Sequence, residues 1–213
     1  MDFLEVVTTQ RAIRRFTAQP VAADVIRQVL EVAIRAPSGG NRQPWRFIVV
    51  RDTGIKRKLG DLYRECTEEL IAKTPFYAKA MNDPAADPAA VRMMKSSRYL
   101  VDHFIEVPVF IVACMMNDGQ PLAFTQGASI YPAVQNVLLA ARNLGLGTTI
   151  TTIHRYRHDE FRRVLEIPSD ADIAAVIPMG YPAGKFGAGP RRPLDEVVFT
   201  DKWGEYEQFR WEK

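Results

Sequence analysis

Cysteine and histidine are scarce in this sequence, and their positions argue against a metal site and against a disulfide-stabilised scaffold. The 213-residue chain has two cysteines, Cys66 and Cys114, and three histidines, His103, His154 and His158. The cysteines lie far apart without a CxxC motif, and no histidine stands at ligand spacing from them. We therefore expect neither a metal site nor a disulfide-stabilised scaffold. His154 alone draws functional interest, because of the segment that precedes it.

Long apolar runs and a large net charge are also missing. No apolar run approaches the roughly 20 residues that span a bilayer, and the first residues lack the basic start and apolar centre of a signal peptide. We expect a cytoplasmic protein with no membrane partner. The formal charge of +3 does not indicate a nucleic-acid partner. Because the sequence shows neither repeats nor a convincing linker, we expect one domain over residues 1–213.

The most informative stretch is residues 36–47, APSGGNRQPWRF. Apolar residues three and four positions apart over 21–34 predict an amphipathic helix, which Pro37 must end. Ser38, Gly39 and Asn41 then offer hydroxyl, backbone N–H and amide groups with little bulk, before a β-type run begins. This composition is typical of an ordinary turn. It equally suits close approach to the polar ring or ribityl chain of a cofactor.

A second feature is a basic cluster near the N-terminus. Arg11, Arg14 and Arg15 place three guanidinium groups within five positions. Arginine binds phosphate through paired charge-assisted hydrogen bonds, which makes the cluster a candidate phosphate site. The alternatives are a solvated basic surface and a nucleic-acid patch, although the aromatic residues typical of such a patch are not interleaved here.

Two further segments carry candidate site residues. Residues 144–153, LGLGTTITTI, follow a helix predicted over 128–144. Gly145 and Gly147 are expected to adopt positive φ and end that helix, after which the threonine-rich run would present backbone N–H groups. Near the C-terminus, Arg191 and Arg192 stand between two prolines. Taken alone, the first segment is an ordinary helix–strand connection.

The remaining predicted elements include a candidate lid. Helices are predicted over 54–72 and 89–101, a strand apolar on both faces over 107–114, and an irregular excursion over 74–87. Region 74–100 is a candidate lid, with plain packing as the alternative. Its apolar candidates are Phe76, Tyr77, Met81, Met93, Met94 and Tyr99.

Helix 128–144 is apolar almost all round, so we predict that it lies at the centre of a dimer. Residues 195–213 are polar and aromatic, and they would expose a large aromatic surface in a monomer. We predict that they form an arm that wraps the partner subunit. The aromatic residues of this arm are Trp203, Tyr206, Phe209 and Trp211.

With these features in this order, the chain resembles the nitroreductase family of FMN-dependent flavoproteins from about Thr9 to about Trp203. The stretch APSGGNRQPW is the most specific part, and residues 131–141 and 177–182 resemble the family's central helix and last core strand. The resemblance implies an α+β fold with a central, mostly antiparallel sheet flanked by helices. It also implies an intertwined homodimer with FMN at the subunit interface.

The resemblance assigns site residues by position. It places the FMN phosphate against Arg11 and against either Arg191 or Arg192, and the ribityl chain and pyrimidine edge near Arg14 or Arg15. The loop at 37–41 would reach the flavin from the partner subunit, residues 150–153 would face N5, and Ser129 the ring edge. The candidate cofactor-binding residues are Arg11, Ala12, Arg14, Arg15, Pro37, Ser38, Gly39, Asn41, Gln43, Ser129, Thr149, Ile150, Thr151, Thr152, Ile153, Arg191 and Arg192.

Two positions depart from the family pattern. Many members have arginine and serine where this chain has Gln10 and Ala12. A phosphate-side cation and a hydroxyl are therefore missing, so that either the neighbouring arginines compensate or FMN is held more loosely.

The resemblance implies an NAD(P)H-dependent FMN oxidoreductase with a ping-pong mechanism, in which a nitroaromatic, a quinone or a similar flat electron-poor molecule is reduced at the flavin. No catalytic side chain and no metal are implied, since the cofactor performs the chemistry. Two alternatives remain: a reductive dehalogenase or flavin-modifying enzyme of the same fold, and a non-catalytic flavin-binding protein or basic interaction module. The sequence leaves open the physiological acceptor and the choice between NADH and NADPH.

Overall fold

A four-stranded sheet with helices on both faces forms the centre of the molecule. The computed structural model describes residues 1–83, 86–117 and 123–204. The strands lie in the order β1-β2-β4-β3, and every neighbouring pair is antiparallel. This confirms the predicted α+β class and the antiparallel central sheet. The strands are β1 (Trp45–Val50), β2 (Val109–Met116), β3 (Gly147–Thr148) and β4 (Ala171–Gly180).

Seven α-helices surround the sheet within the described ranges. They are α1 (Phe3–Thr9), α2 (Ala23–Ala33), α3 (Thr53–Lys73), α4 (Pro75–Asn82), α5 (Pro88–Asp102), α6 (Ala123–Asn143) and α7 (His158–Val164). Short 3₁₀ turns occur at Gly39–Asn41, Phe104–Glu106, Ile153–Arg157 and Leu194–Glu196. The helices predicted over 21–34, 54–72, 89–101 and 128–144 are confirmed as α2, α3, α5 and α6.

Strand β2 builds two separate cores because its side chains alternate between the faces of the sheet. Ile111 points to one side, where it joins Val29 of α2 and Val137 of α6. Phe110 points to the other side, where it joins Leu59 of α3 and residues of α5 and α7. All but the last residue of β2 are buried, as the prediction of a strand apolar on both faces requires.

The prediction of an irregular excursion over 74–87 is wrong, because residues 75–82 form helix α4. Pro75 stands at the start of the helix, where proline's missing N–H removes no helical hydrogen bond and its fixed φ suits the helix. Helices α4 and α5 pack together through a small core that includes Ala80, Ala90 and Met94. Phe76 remains exposed, and the side chain of Met81 lies outside the described residues. The lid over a cofactor stays a prediction.

One of the two glycines predicted to end α6 does so. Gly145 has a φ of 77°, which glycine adopts without strain. The prediction of positive φ at Gly147 is wrong. That position excludes a side chain for another reason: a Cβ there would lie 2.6 Å from the side chain of Ile13.

Helix α6 keeps one exposed stripe, so it is not covered on every side within this chain. Ala128, Tyr131 and Gln135 form the stripe at three- and four-residue spacing. Trp203 is 90% exposed. Both observations fit the predicted dimer, which stays a prediction. Of the predicted arm, residues 205–213 lie outside the described residues.

The described residues contain neither a membrane-spanning helix nor a metal-binding cluster. None of the described helices combines the length and the apolar character that crossing a membrane requires. Likewise, no group of three or more histidine, cysteine, aspartate or glutamate side chains within ranges 1–83, 86–117 and 123–204 could hold a metal ion.

His154 is buried, and its ring makes one hydrogen bond among the described residues. Its Nε2 lies 2.9 Å from the carbonyl oxygen of Ile173, so Nε2 carries the proton and donates it. Its Nδ1 is buried and has no hydrogen-bond partner among the described residues. Burial, together with the charges of His158 and Arg155, lowers the pKa of His154 to about 4, although the bond to Ile173 favours the charged form. The ring is therefore neutral in the folded protein at neutral pH.

We predict a loss of stability between pH 6.5 and pH 4 that depends on His154. Above pH 6.5 the imidazole is neutral in both states and has no effect. As the pH falls below 6.5, the unfolded chain binds a proton that the folded protein binds only near pH 4, so folding is disfavoured by up to about 3 kcal/mol. In His154→Gln, whose amide can still donate to Ile173, the free energy of unfolding measured with urea should lack this pH dependence.

The control is His103→Gln, which removes a more exposed imidazole and should keep the loss. Equal pH profiles for the native protein and His154→Gln would contradict the assignment of His154 as a neutral buried ring.

Candidate functional site

Residues 11–17 form an extended segment that lies against the sheet. The backbone N–H of Ile13 donates to the carbonyl of Thr148 in β3 at 2.8 Å. Farther along, the N–H of Thr17 donates to the carbonyl of Tyr181, just after β4, at 2.9 Å. The basic cluster is thus held beside the ends of two strands that come late in the sequence.

A glycine makes this close approach possible. The side chain of Ile13 occupies the space that a Cβ on Gly147 would need. Any larger residue at 147 would therefore push the segment away from β3. The contact brings the cluster of Arg11, Arg14 and Arg15 next to the threonine-rich run, as the cofactor hypothesis requires.

The threonine-rich run alternates between the core and the surface. Thr149 and Thr151 are buried, whereas Ile150 is 42% exposed. The backbone N–H and the hydroxyl of Thr151 both donate to the carbonyl of Val176 at 3.0 Å. The Thr151 side chain is therefore engaged within the protein, and the run presents Ile150 and the half-buried Thr152 outward.

Tyr63 of α3 lies beneath this run. Burial raises the pKa of Tyr63 to about 12, an effect that the neighbouring Thr151 side chain and the charge of Arg14 partly oppose. Ile153 starts the following 3₁₀ turn and packs against the same core. Tyr63 thus lies next to both predicted cofactor segments: the threonine-rich run through Thr151 and the basic cluster through Arg14.

The loop after α2 is tightly wound. Gly40, Asn41 and Gln43 all have φ between 53° and 59°, a conformation that costs little for glycine and is tolerated by asparagine. The N–H of Gln43 donates to the hydroxyl of Ser38 at 3.0 Å, and its side-chain amide donates to Asn41 at 3.3 Å. Pro37 is exposed at the start of the loop.

Ser129 of α6 belongs to the same loop region. Its hydroxyl accepts a hydrogen bond from the backbone N–H of Gly39 at 3.2 Å. The structure therefore joins the predicted site residues into two groups: the loop with Ser129, and residues 11–15 with the threonine-rich run.

The three arginines of the basic cluster have different surroundings. Arg11 is exposed, as is its neighbour Ala12. Arg14 is half-buried, and burial lowers the pKa of its guanidinium, although the charge of Tyr63 opposes this shift. Arg15 is exposed and lies over the ring of Tyr99, with 4.1 Å between the guanidinium carbon and the ring centroid.

Arg191 and Arg192 are both exposed in the segment after β4. Arg191 donates to the carbonyl of its neighbour Pro190 at 2.9 Å. The prediction that one of them contacts phosphate stays a prediction.

Sequence reasoning missed two supporting residues. Tyr63 was part of a predicted helix without a role, and Tyr99 was considered only as a lid residue. No sequence signal could have linked Tyr63 to Thr151 or Tyr99 to Arg15, because both pairs come together only through the packing of α3 and α5 on the sheet.

The chain matches known proteins over most of its length. Residues 7–181 match the model of the nitroreductase family. An NADH dehydrogenase of Thermus thermophilus is 29% identical over 93% of this chain and 95% of its own length. Iodotyrosine deiodinase 1 of Rattus norvegicus is also 29% identical, over 93% of this chain and 69% of its own length.

A solved structure also matches this chain over most of its length. The FMN and NADPH-dependent nitroreductase NfnB of Sphigopyxis sp. strain HMH superimposes with a TM-score of 0.70, at 20% identity, over 95% of this chain and all of that one. At this level of identity the superposition shows a shared fold. Together with the family model, which spans the basic cluster, the loop and β4, it leads to one conclusion: this chain belongs to the nitroreductase family.

Proposed function

We propose that the protein is an FMN-dependent oxidoreductase that uses NADH or NADPH to reduce a flat, electron-poor acceptor such as a nitroaromatic or a quinone. The observation that carries the proposal is the pairing of Ala12 and Ile13 with Thr148 of β3, which joins the backbone of the basic cluster to the segment that leads into residues 149–153. Family membership and the NADH- and NADPH-linked names of its relatives support the same activity.

The residues present fit FMN. A phosphate needs cations in water-accessible positions, and Arg11 is exposed and has no ion pair among the described residues. Arg191 or Arg192 would supply a second cation. Arg14 or Arg15 would face the ribityl chain and the pyrimidine edge, where a positive charge would tune the electronics of the ring.

The run at 149–153 would face the N5 side of the ring. Ile150 offers an apolar surface, and Thr152 points the same way from a backbone that Thr151 and Val176 hold in place. The loop residues Pro37, Ser38, Gly39, Asn41 and Gln43 would contact the flavin of the partner subunit, with Ser129 near the ring edge.

When bound, FMN would supply the redox chemistry, namely hydride transfer from NAD(P)H followed by electron transfer to the acceptor in a ping-pong sequence. The chain itself contributes position and charge. Its two cysteines are buried, and burial raises the pKa of both Cys66 and Cys114 to about 11. Both thiols are therefore protonated at neutral pH and are poor nucleophiles.

A homodimer completes the proposed site. The exposed stripe of α6 and the exposed Trp203 would be covered by a second copy, and the loop at 37–43 would then reach the partner's flavin. This assembly would explain why the predicted site residues form two groups on a single chain.

Reductive dehalogenation is the second candidate, because iodotyrosine deiodinase 1 of Rattus norvegicus is as similar to this chain as the NADH dehydrogenase is. A deiodinase-type site clamps a zwitterionic amino acid with acidic and tyrosine residues of the lid, and such residues are not clearly spaced in 74–100. Halide release from a halotyrosine, compared with reduction of a nitroaromatic or a quinone, would distinguish the two activities.

We predict that the purified protein carries a yellow chromophore. Its visible spectrum should show flavin bands, the chromophore released by denaturation should be FMN, and anaerobic NADH or NADPH should bleach the bands. The rate of bleaching with each nucleotide shows which of the two is the preferred electron donor. A colourless protein that also fails to bind added FMN would contradict the proposed function.

We also predict that two site substitutions weaken FMN binding. Arg11→Ala removes a charge-assisted contact to phosphate and should raise the FMN dissociation constant roughly tenfold to hundredfold. Asn41→Gly removes the amide while tolerating the positive φ at that position, and it should weaken binding if the loop faces the cofactor. Flavin fluorescence during titration of the FMN-free protein measures both effects.

The matched control is Arg27→Ala, which removes an exposed arginine of α2 that pairs with Glu31 four residues later. Such surface pairs contribute little, so FMN binding should not change. Unchanged affinity in both Arg11→Ala and Asn41→Gly would mean that the cofactor lies elsewhere.

A further inference from the structure

Tyr99, near the end of α5, is stacked between two flat groups. The guanidinium carbon of Arg15 lies 4.1 Å from the centroid of its ring, and the ring of His103 lies 4.0 Å from the same centroid at an interplanar angle of 23°. Two flat groups cannot both lie at about 4 Å over one face of a ring. Arg15 and His103 therefore occupy opposite faces of Tyr99.

His103 forms one end of this stack, and contacts at the end of α5 hold it in place. The Nδ1 of His103 lies 2.9 Å from the carboxylate of Glu106, and Phe104 between them is buried in the second core. Helix α5 is also tied to α3, since Arg98 donates to Glu68 at 2.6 Å. The ring of Tyr99 thus stands on a well-supported part of α5.

The other end of the stack reaches the candidate cofactor segment. The carbonyl of Arg15 accepts a hydrogen bond from the N–H of Ala183 at 3.0 Å, and two residues later Thr17 donates to Tyr181. Arg14 faces the same place, because it lines a small pocket together with Tyr99, His103 and Glu106. The end of α5 therefore meets the basic cluster directly.

The stacked geometry has a chemical consequence for Arg15. A guanidinium that lies over an aromatic ring uses its face for the contact and leaves the N–H groups at its edge available to an acceptor. An exposed arginine otherwise samples many rotamers, and ordering it on binding costs conformational entropy. The Tyr99 ring holds the guanidinium in one orientation before any ligand arrives.

We propose that Tyr99 is a positioning residue that acts through Arg15: it orients the Arg15 guanidinium and fixes residues 11–17 against the end of α5, so that α5 and the cofactor segment behave as one unit. The proposal rests on the proposed function for its ligand, FMN, but its structural part concerns the chain alone. If the Tyr99 ring served only the packing of α5, its loss would leave residues 11–17 and FMN binding unaffected.

The test uses four single variants, one of which is Arg15→Gln alone as the reference for the double variant, and one double variant. Tyr99→Leu removes the ring, Tyr99→Phe keeps it, and Tyr77→Leu removes a ring of α4 that contacts Phe76 instead of Arg15. The double variant combines Tyr99→Leu with Arg15→Gln. Two quantities are measured: the FMN dissociation constant, and the hydrogen exchange of peptides covering residues 11–17 in the FMN-free protein.

We expect Tyr99→Leu to raise the FMN dissociation constant about fivefold, the effect of losing one exposed cation–π contact, and to speed exchange at the amides of Ile13 and Thr17. Tyr99→Phe should match the native protein in both measurements, and Tyr77→Leu should not change exchange in 11–17. Once Arg15→Gln is present, Tyr99→Leu should have no further effect.

Three results would overturn the proposal: unchanged exchange in Tyr99→Leu, equal effects of Tyr99→Leu and Tyr77→Leu, or a full effect of Tyr99→Leu in the Arg15→Gln background. If the native protein binds no FMN, the proposed function fails alone, because the exchange measurement still decides whether Tyr99 holds residues 11–17.

Discussion

The pairing of residues 11–17 with the ends of β3 and β4 is the constraint on which the candidate site depends. The backbone hydrogen bonds from Ile13 to Thr148 and from Thr17 to Tyr181 give the basic cluster a fixed position relative to the threonine-rich run. Gly147 sets the distance, since the Ile13 side chain fills the space of its missing Cβ. The site is thus created by a backbone contact between two segments that lie far apart in the sequence.

Both layers of helices contribute to holding this contact. On one side of the sheet, α2 and α6 pack on β2, and the loop after α2 is joined to α6 through Gly39 and Ser129. On the other side, α3 places Tyr63 beneath Thr151, and α5 places Tyr99 against Arg15. The doubly buried strand β2 makes this possible, because its alternating side chains give each layer its own core.

A cofactor-based activity fits the chemistry of the chain. The thiols and His154 are buried, with pKa values that keep them neutral at pH 7, and the site residues supply positive charge, backbone donors and an apolar surface. Such a site positions a reactive group that the protein itself does not provide. The chain is similar both to an NADH dehydrogenase and to iodotyrosine deiodinase 1, whose names point to different acceptors.

The sequence by itself determined the class of fold, most of the helices and the family, because these depend on local periodicity, on proline and glycine at the ends of elements, and on one specific motif at 36–45. The prediction is wrong at α4, where Pro75 begins a helix, and at Gly147, where a missing side chain serves packing rather than backbone conformation. Only the tertiary structure decided that Thr151 turns inward, that Ile150 faces out, that Tyr63 lies next to Thr151 and that Tyr99 lies against Arg15. These facts depend on which side chains meet across the sheet and between layers, and the spacing of residues along a chain does not contain that information.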